Sequence, residues 1–332
     1  MKTKFATLSD VARVAGMSRA QVSRALRGDP GVKETTREHV ASVAAGLDYR
    51  PNLAARNLVS AQTSTVGVVI GEPYNPFHIQ LATSIDHALA EAGLDPVLSL
   101  RALDDASTLR EAERFINLRA VGAILISTPR DPRAIQAMAQ KLPCVYLGKS
   151  VDYKNVSTID IDDEAATAEA IRYLVGLGHR RIAHLAGTDE ISAKERTAAY
   201  TAAMEAAGLK PNIVFGSHDS VSGHRGVDAL MKGTRAPTAI FASNDAIAIG
   251  AIGRLRGIGL RVPQDVSVIG IDDIPAASDA AFSLTTMRQD SDEQARLAVQ
   301  ALALMTANTK RHTTKLVLPM KMVVRDSVAP PK

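Results

Sequence analysis

The sequence predicts two unlike parts: a small all-α helix-turn-helix headpiece and a long α/β domain with parallel sheets. Three observations predict this. The first 60 residues hold short, capped, amphipathic helices. From about residue 63 the chain alternates apolar strand, loop and amphipathic helix, the pattern of parallel α/β sheets. Charge divides at the same place. Residues 1–60 carry 10 Lys plus Arg against 5 Asp plus Glu, while the 332-residue chain carries 39 against 35. The remaining 272 residues therefore hold 29 against 30, so the basic excess is local and points to a polyanionic partner.

The headpiece core is TLSDVARVAGMSRAQVSRAL, residues 7–26. Thr7 caps a first helix with Asp10 three residues on, and Ser18 caps a second with Gln21 in the matching place, both at capping-box spacing. Leu8, Val11, Ala12 and Val14 give the first helix an apolar face; Val22 and Leu26 serve the second. Gly16 stands where the chain must turn sharply, which a backbone without Cβ permits. A third helix is expected over about 34–45, with Val40 and Val43 inward. Lys33 precedes it and cannot cap as Ser or Thr would.

A helix-turn-helix sets the start of its second helix in the major groove of DNA. Arg19, Ala20 and Arg24 lie toward that outer face. Arg suits a guanine edge or a phosphate, and Ala20 offers a methyl contact. Ser18, Gln21, Ser23 and Asn52 are candidate phosphate donors. YRPNLAARNL, residues 49–58, follows. Pro51 stops the preceding helix and Asn52 caps a new one, but 53–58 is too short to be a stable free helix in water. Its Leu58 suits a minor-groove wedge or simple packing in a linker. Residues 60–65 form a polar joint.

In the large domain, strands are expected at 65–70, 96–100, 123–127, 144–147, 181–185, 239–242 and 266–271. Helices are expected at 79–92, 108–118, 164–177, 198–207, 222–231, 245–256 and 290–306, and a last strand near 316–324. Two such sheets leave a cleft at the carboxyl ends of their strands. The loop GEPYNPFHIQL, 71–81, offers Tyr74, Asn75 and Phe77 there, the aromatic rings either to a ligand or to the next helix. Arg196 falls in SAKERTAAY, after the fifth expected strand; Asn244 and Asp245 fall in FASND and Asp272 and Asp273 in VIGIDD, each immediately after a strand. Convergence of groups so far apart in sequence would make them a binding site.

Several function classes are excluded. The one cysteine, Cys144, follows Pro143 in an apolar run and reads as a buried strand residue; one Cys forms no intrachain disulfide and fits a reducing compartment. No signal-like run opens the chain and no stretch approaches about 20 apolar residues, so a cytoplasmic protein without a membrane span is expected. Metal-spaced clusters, a Walker loop, GxGxxG and a GxSxG elbow are all missing, and the repeated Gly of 253–259 follows a helix rather than opening one. No cofactor and no catalytic residues are expected.

The segments TLSDVARVAGMSRAQVSRAL, VKETTREHV, YRPNLAARNL and GHRRI (178–182) closely resemble the lactose/purine repressor family of bacterial transcription regulators, and the likeness runs through the whole chain. The resemblance implies a headpiece over 1–48, a hinge helix and linker over 49–62, and a periplasmic-binding-protein-like effector and dimerisation domain over 63–332. Lobe one would comprise 63–161 and 289–312, and lobe two 162–288 and 313–326. It implies a homodimer on double-stranded DNA at a near-palindromic operator, and a repressor rather than an activator. By the resemblance Arg19, Ala20 and Arg24 occupy base-reading positions and Ala55 and Leu58 hinge positions in the minor groove; Thr7, Ser18, Gln21, Ser23, Asn52 and Arg56 join them as candidate DNA contacts.

By the same resemblance Arg196, Asn244 and Asp272 hold a small sugar-like effector, and His218 falls near an aromatic stacking position. Two departures stand out. Ser291 replaces an aromatic residue, and Gly148–Lys149 stand where some members carry a ligand-facing Asp. A lactose-like galactoside is therefore disfavoured, and Lys149 with Arg130 leaves room for a sugar acid or sugar phosphate. The competing class is a periplasmic-type binding protein used for uptake; the DNA module and the missing signal favour the regulator.

Overall fold

The computed structural model describes residues 6–49, 63–100, 105–127, 132–187, 191–233, 235–307 and 312–332. The chain divides into two compact units, Met1–Thr63 and Ser64–Lys332.

The first unit has three helices: α1 (Leu8–Ala15), α2 (Arg19–Leu26) and α3 (Glu34–Gly46). Both expected capping boxes form. Thr7 Oγ1 accepts from Asp10 N while Asp10 Oδ2 accepts from Thr7 N, and Ser18 and Gln21 exchange the same pair of bonds. Gly16 ends α1 at φ 64°, the left-handed conformation the turn needs. Val11, Ala12, Val22, Ala25, Val40 and Ala44 close a small core. Lys33 precedes α3 without a side-chain cap. Asn52, Ala55, Arg56 and Leu58, and the hinge helix expected over them, lie outside the described residues.

The second unit contains two six-stranded sheets. The first lobe starts with β1 (Thr65–Ile70), α4 (Pro76–Glu91), β2 (Asp95–Ser99), α5 (Asp105–Asn117) and β3 (Gly122–Ile126). It continues through α6 (Pro132–Ala139), β4 (Cys144–Leu147) and β5 (Val156–Ile161). The chain then crosses to α7 (Asp163–Gly176), β6 (Ile182–Ala186), α8 (Ile191–Ala206), β7 (Ile213–Phe215), α9 (Ser220–Met231) and β8 (Ala239–Ala242). After α10 (Asp245–Gly257), β9 (Ser267–Asp272) and β10 (Thr285–Arg288) it returns for α11 (Ser291–Ala307) and β11 (Lys315–Leu318), and crosses again to β12 (Lys321–Val323).

The strand orders are β11-β5-β4-β3-β1-β2 and β12-β10-β9-β8-β6-β7. All pairings are parallel except that of β10 with β12. In each sheet the order reverses between the first and third strands of the lobe, so the crevice opens where β1 and β3, and β6 and β8, end. Alternate side chains explain the layers. Val66, Val68 and Ile70 join the core under α4 and α11, whereas Val69 joins the opposite core with Phe115 and Met138. In lobe two, Leu185, Val227 and Ile247 pack on one face, and Tyr200, Met204 and Phe241 on the other.

Two expectations are corrected here. The final strand is two strands, divided by Pro319 and Met320, and β11 pairs with β5 in the first sheet. Residues 313–318 therefore belong to lobe one, not lobe two. Phe77, a candidate ligand surface, is 4% exposed and sits in the lobe-one core, because α4 begins at Pro76, just before it.

Candidate functional site

The exposed start of α2 presents Arg19, Ala20 and Gln21, with Ser23 half-buried. Thr7, Ser18 and Gln21 are engaged in the caps, so they fix the helix starts as well as facing outward. Arg24 is tied down locally. Its Nε donates to Asp29 Oδ2 at 3.0 Å, and Asp29 Oδ1 also accepts from Gly31 N. The Arg24 hydrogen bond holds the Asp29 carboxyl below its ordinary range. To meet a base edge Arg24 must leave this partner.

The carboxyl ends of β6, β8 and β9 bring together the residues expected of the effector cleft. Arg196 lies on the second turn of α8, which starts seven residues earlier than its periodicity suggested. It is buried: Nε donates to Asp163 Oδ1 at 2.7 Å and Nη1 to the Ser243 carbonyl at 2.5 Å. Asn244 caps α10, accepting from Ile247 N, while its Nδ2 donates to the His218 carbonyl at 3.3 Å. Asp272 ends β9 at φ 126°, a costly conformation for a residue with a Cβ. Its Oδ1 accepts from Gln289 Nε2 at 2.7 Å. The His218 ring occupies the space above Gly187, where a Cβ would fall 1.8 Å from Nε2, so any other residue at 187 would expel the ring.

Electrostatics set this buried cluster apart. Burial pushes the Asp272 carboxyl up to about 6, against the Arg196 charge and the Gln289 hydrogen bond. Burial, then the neighbouring Asp272 charge, raises Asp245 well above the carboxylate range, although Thr286 Oγ1 and Ile274 N both donate to it. Burial likewise raises Asp163, with Arg196 opposing. Few groups in the molecule are so costly to ionise, and such costs concentrate where a ligand is to supply donors. Sequence reasoning missed Asp163, Ser243 and Gln289. The first two lie beside recognisable elements; Gln289 falls in TTMRQD, which has no apolar run to mark a strand.

The lobe-one side contributes less than expected. Tyr74 is 94% exposed, and Asn75 caps α4 by accepting from Phe77 N at 3.0 Å. Arg130 lies outside the described residues. Lys149 does not stand alone in this structure: Glu195 Oε2 is at 2.8 Å and Asp160 Oδ2 at 3.4 Å. Burial opposes its charge, but these carboxylates raise its pKa overall. His184, another titratable group nearby, is a core residue, stacked on Phe241 and bonded to the Phe241 carbonyl and Thr197 Oγ1. Among the described residues, no cluster of three or more His, Cys, Asp or Glu side chains could hold a metal ion, and no helix is long and apolar enough to cross a membrane.

Comparison with known proteins agrees with this architecture. Residues 7–52 match the family described as bacterial regulatory proteins, lacI family, and residues 171–328 match the periplasmic binding protein-like domain. The chain is 30% identical over 336 residues to the probable HTH-type transcriptional repressor ExuR of Bacillus subtilis (strain 168), covering 97% of this chain and 98% of that one. It is 33% identical to the ribose operon repressor of Escherichia coli (strain K12), covering 90% and 92%. Among solved structures, the lac repressor dimer bound to operator and the anti-inducer ONPF matches with a TM-score of 0.86 at 28% identity, covering 98% of this chain and all of that one. The transcriptional regulator CelR–cellobiose complex matches at 0.72 and 30%, covering 97% and 99%. With a DNA-binding headpiece, a two-lobed domain and relatives that are transcriptional regulators along nearly their whole lengths, the chain belongs to the lacI family of bacterial regulatory proteins and is a DNA-binding transcription regulator.

Proposed function

We propose that the protein acts as a homodimeric repressor on a near-palindromic operator, controlled by a small, hydroxyl-rich, sugar-like effector bound between its two lobes. Arg19 and Ala20 read base edges from the start of α2, and Leu58 enters the minor groove from the hinge. Arg196, Asn244 and Asp272 hold the effector. The observation that carries the reading is that these three, from a helix and two strand ends, are buried beside one another: Arg196 donates to the Ser243 carbonyl next to Asn244, and its charge acts on the Asp272 carboxyl. An anchored guanidinium and an amide donate to hydroxyls, and a buried carboxylate accepts from them. The relatives point the same way: one represses a ribose operon and another was solved with cellobiose.

Control is a coupling between two states. The effector shifts DNA affinity only by the difference in its affinity for the two lobe arrangements. The test is a thermal-shift screen of neutral sugars, sugar acids and sugar phosphates, followed by operator binding with each hit. A hit that changes operator affinity in the parent, and has no effect in Arg196→Lys, supports the reading. Operator binding indifferent to every hit contradicts it.

A further inference from the structure

Lys149 extends from the carboxyl end of β4 in lobe one. Its Nζ meets Glu195 Oε2, on α8 in lobe two, at 2.8 Å, and Asp160 Oδ2, on β5 of its own lobe, at 3.4 Å. Asp160 is a prepared anchor: it is 4% exposed, with Oδ2 accepting from Ser150 N and Oδ1 from Ile161 N. Its carboxylate cannot swing away, so it fixes the ammonium on the lobe-one side. Glu195 precedes Arg196, and the bond therefore spans the cleft one residue from the proposed effector contact. The chain crosses between the lobes only at residues 161–163, 288–291 and 318–321 among the described residues, and these strands of backbone allow one lobe to turn against the other.

We propose that the Lys149–Glu195 ion pair is an electrostatic latch that holds the two lobes together before any effector arrives. The proposal rests on the cleft being the effector site and deepens that reading by naming what sets its resting state. Lys149 has a fixed partner in its own lobe and a movable one across the cleft, so opening the lobes strips Glu195 of its cation while Asp160 keeps one. The latch also occupies the Lys149 charge, which an acidic effector could otherwise use. Lys149 and Arg196 are each matched by a carboxylate, Glu195 and Asp163, and Asp272 adds a further negative charge. An anionic ligand that recruits Lys149 must break the latch, whereas a neutral ligand enters without doing so.

The test needs no known effector. Dyes are placed on Glu91→Cys in lobe one and Lys232→Cys in lobe two of the full-length protein, both exposed positions, and labelled chains are diluted into unlabelled protein. Single-molecule energy transfer then reports the lobe arrangement without ligand. An ion pair that is about one-third exposed, at 37% and 31%, supports a shift of roughly two- to five-fold in the open-to-closed ratio. Glu195→Gln and Lys149→Met are each expected to enlarge the second population by that factor, with the double variant no more open than either single one. Raising salt to about 1 M is expected to do the same in the parent and little in the variants. Distributions identical to the parent's, or independent additive effects of the two substitutions, overturn the latch. A latch response in a protein that no sugar stabilises would leave the latch standing and sink the effector reading instead.

Discussion

Replacing Asp272 by Asn is expected to stabilise the ligand-free protein at neutral pH while damaging effector binding. The carboxyl is 3% exposed, and burial raises its pKa from 3.8 to about 6. Each unit is about 1.4 kcal/mol, so keeping this group ionised in the folded state costs about 3 kcal/mol at pH 7.5. Asn keeps an oxygen for Gln289 Nε2, tolerates positive φ better, and relieves the repulsion felt by Asp245. The expected gain is about 2–3 kcal/mol. Its sign with pH follows from linkage. A carboxyl with a raised folded pKa favours folding below its unfolded value and loses that contribution as pH rises through about 6. The variant's advantage is therefore full at pH 7.5 and gone near pH 4.

His184 gives the same experiment a second face. Burial lowers its pKa to about 4, so its contribution is present above about 6.5 and lost as pH falls toward 4, up to about 3 kcal/mol. In the parent Asp272 offsets that loss; in Asp272→Asn it does not, so acid destabilisation between pH 6.5 and 4 is steeper. Urea denaturation followed by circular dichroism from pH 7.5 to 4.5 reads both effects. No gain at pH 7.5, or a gain that persists unchanged at pH 4.5, refutes the electrostatic argument. Effector affinity should meanwhile fall roughly 10- to 100-fold, the loss expected for hydrogen bonds to a charged acceptor.

Three further outcomes follow from the same geometry. Arg196→Ala should cost about 3–5 kcal/mol, because Asp163 is left buried without its cation; adding Asp163→Asn should recover much of the stability but not the effector response, as denaturation and ligand titration would reveal. Ser18→Ala removes one arm of the capping box and should destabilise α2 by about 1 kcal/mol, lowering the melting temperature of the headpiece and weakening operator binding. Leu58→Ala should weaken specific operator binding and leave effector affinity nearly intact, so equal operator affinities of variant and parent would contradict the minor-groove role.

The headpiece was legible because each of its rules is local: two capping boxes, one left-handed Gly and a short apolar core. Most of the α/β domain was legible too, since β1, β3, β4, β6, β8 and β9 are apolar runs. β5 and β10 were not. Their buried Ser157, Thr158, Asp160, Thr285 and Thr286 hide the strand signal, and they are tolerated inside because distant groups satisfy them: Ser157 Oγ accepts from Thr314 N, and Thr286 Oγ1 donates to Asp245. Lobe membership of β11 depends on pairing with β5, which periodicity does not encode. In the proposed site, Asn244 and Asp272 could be singled out because they close or follow apolar strands, whereas Arg196 lies on the second turn of α8 and only the family resemblance pointed to it. Phe77 misled because an aromatic at a helix start turned inward to the core, and periodicity could not show that the Lys149 cation meets carboxylates 11 and 46 positions away.

The most direct test is fluorescence anisotropy of a labelled near-palindromic operator, titrated with the full-length protein at fixed salt, with and without a saturating effector found by the thermal-shift screen. Sequence-selective binding that weakens as salt rises and changes at least several-fold with the effector is the expected result. Binding that does not distinguish operator from scrambled DNA, or an operator affinity that the effector leaves untouched, would contradict a regulator whose cleft controls its headpiece.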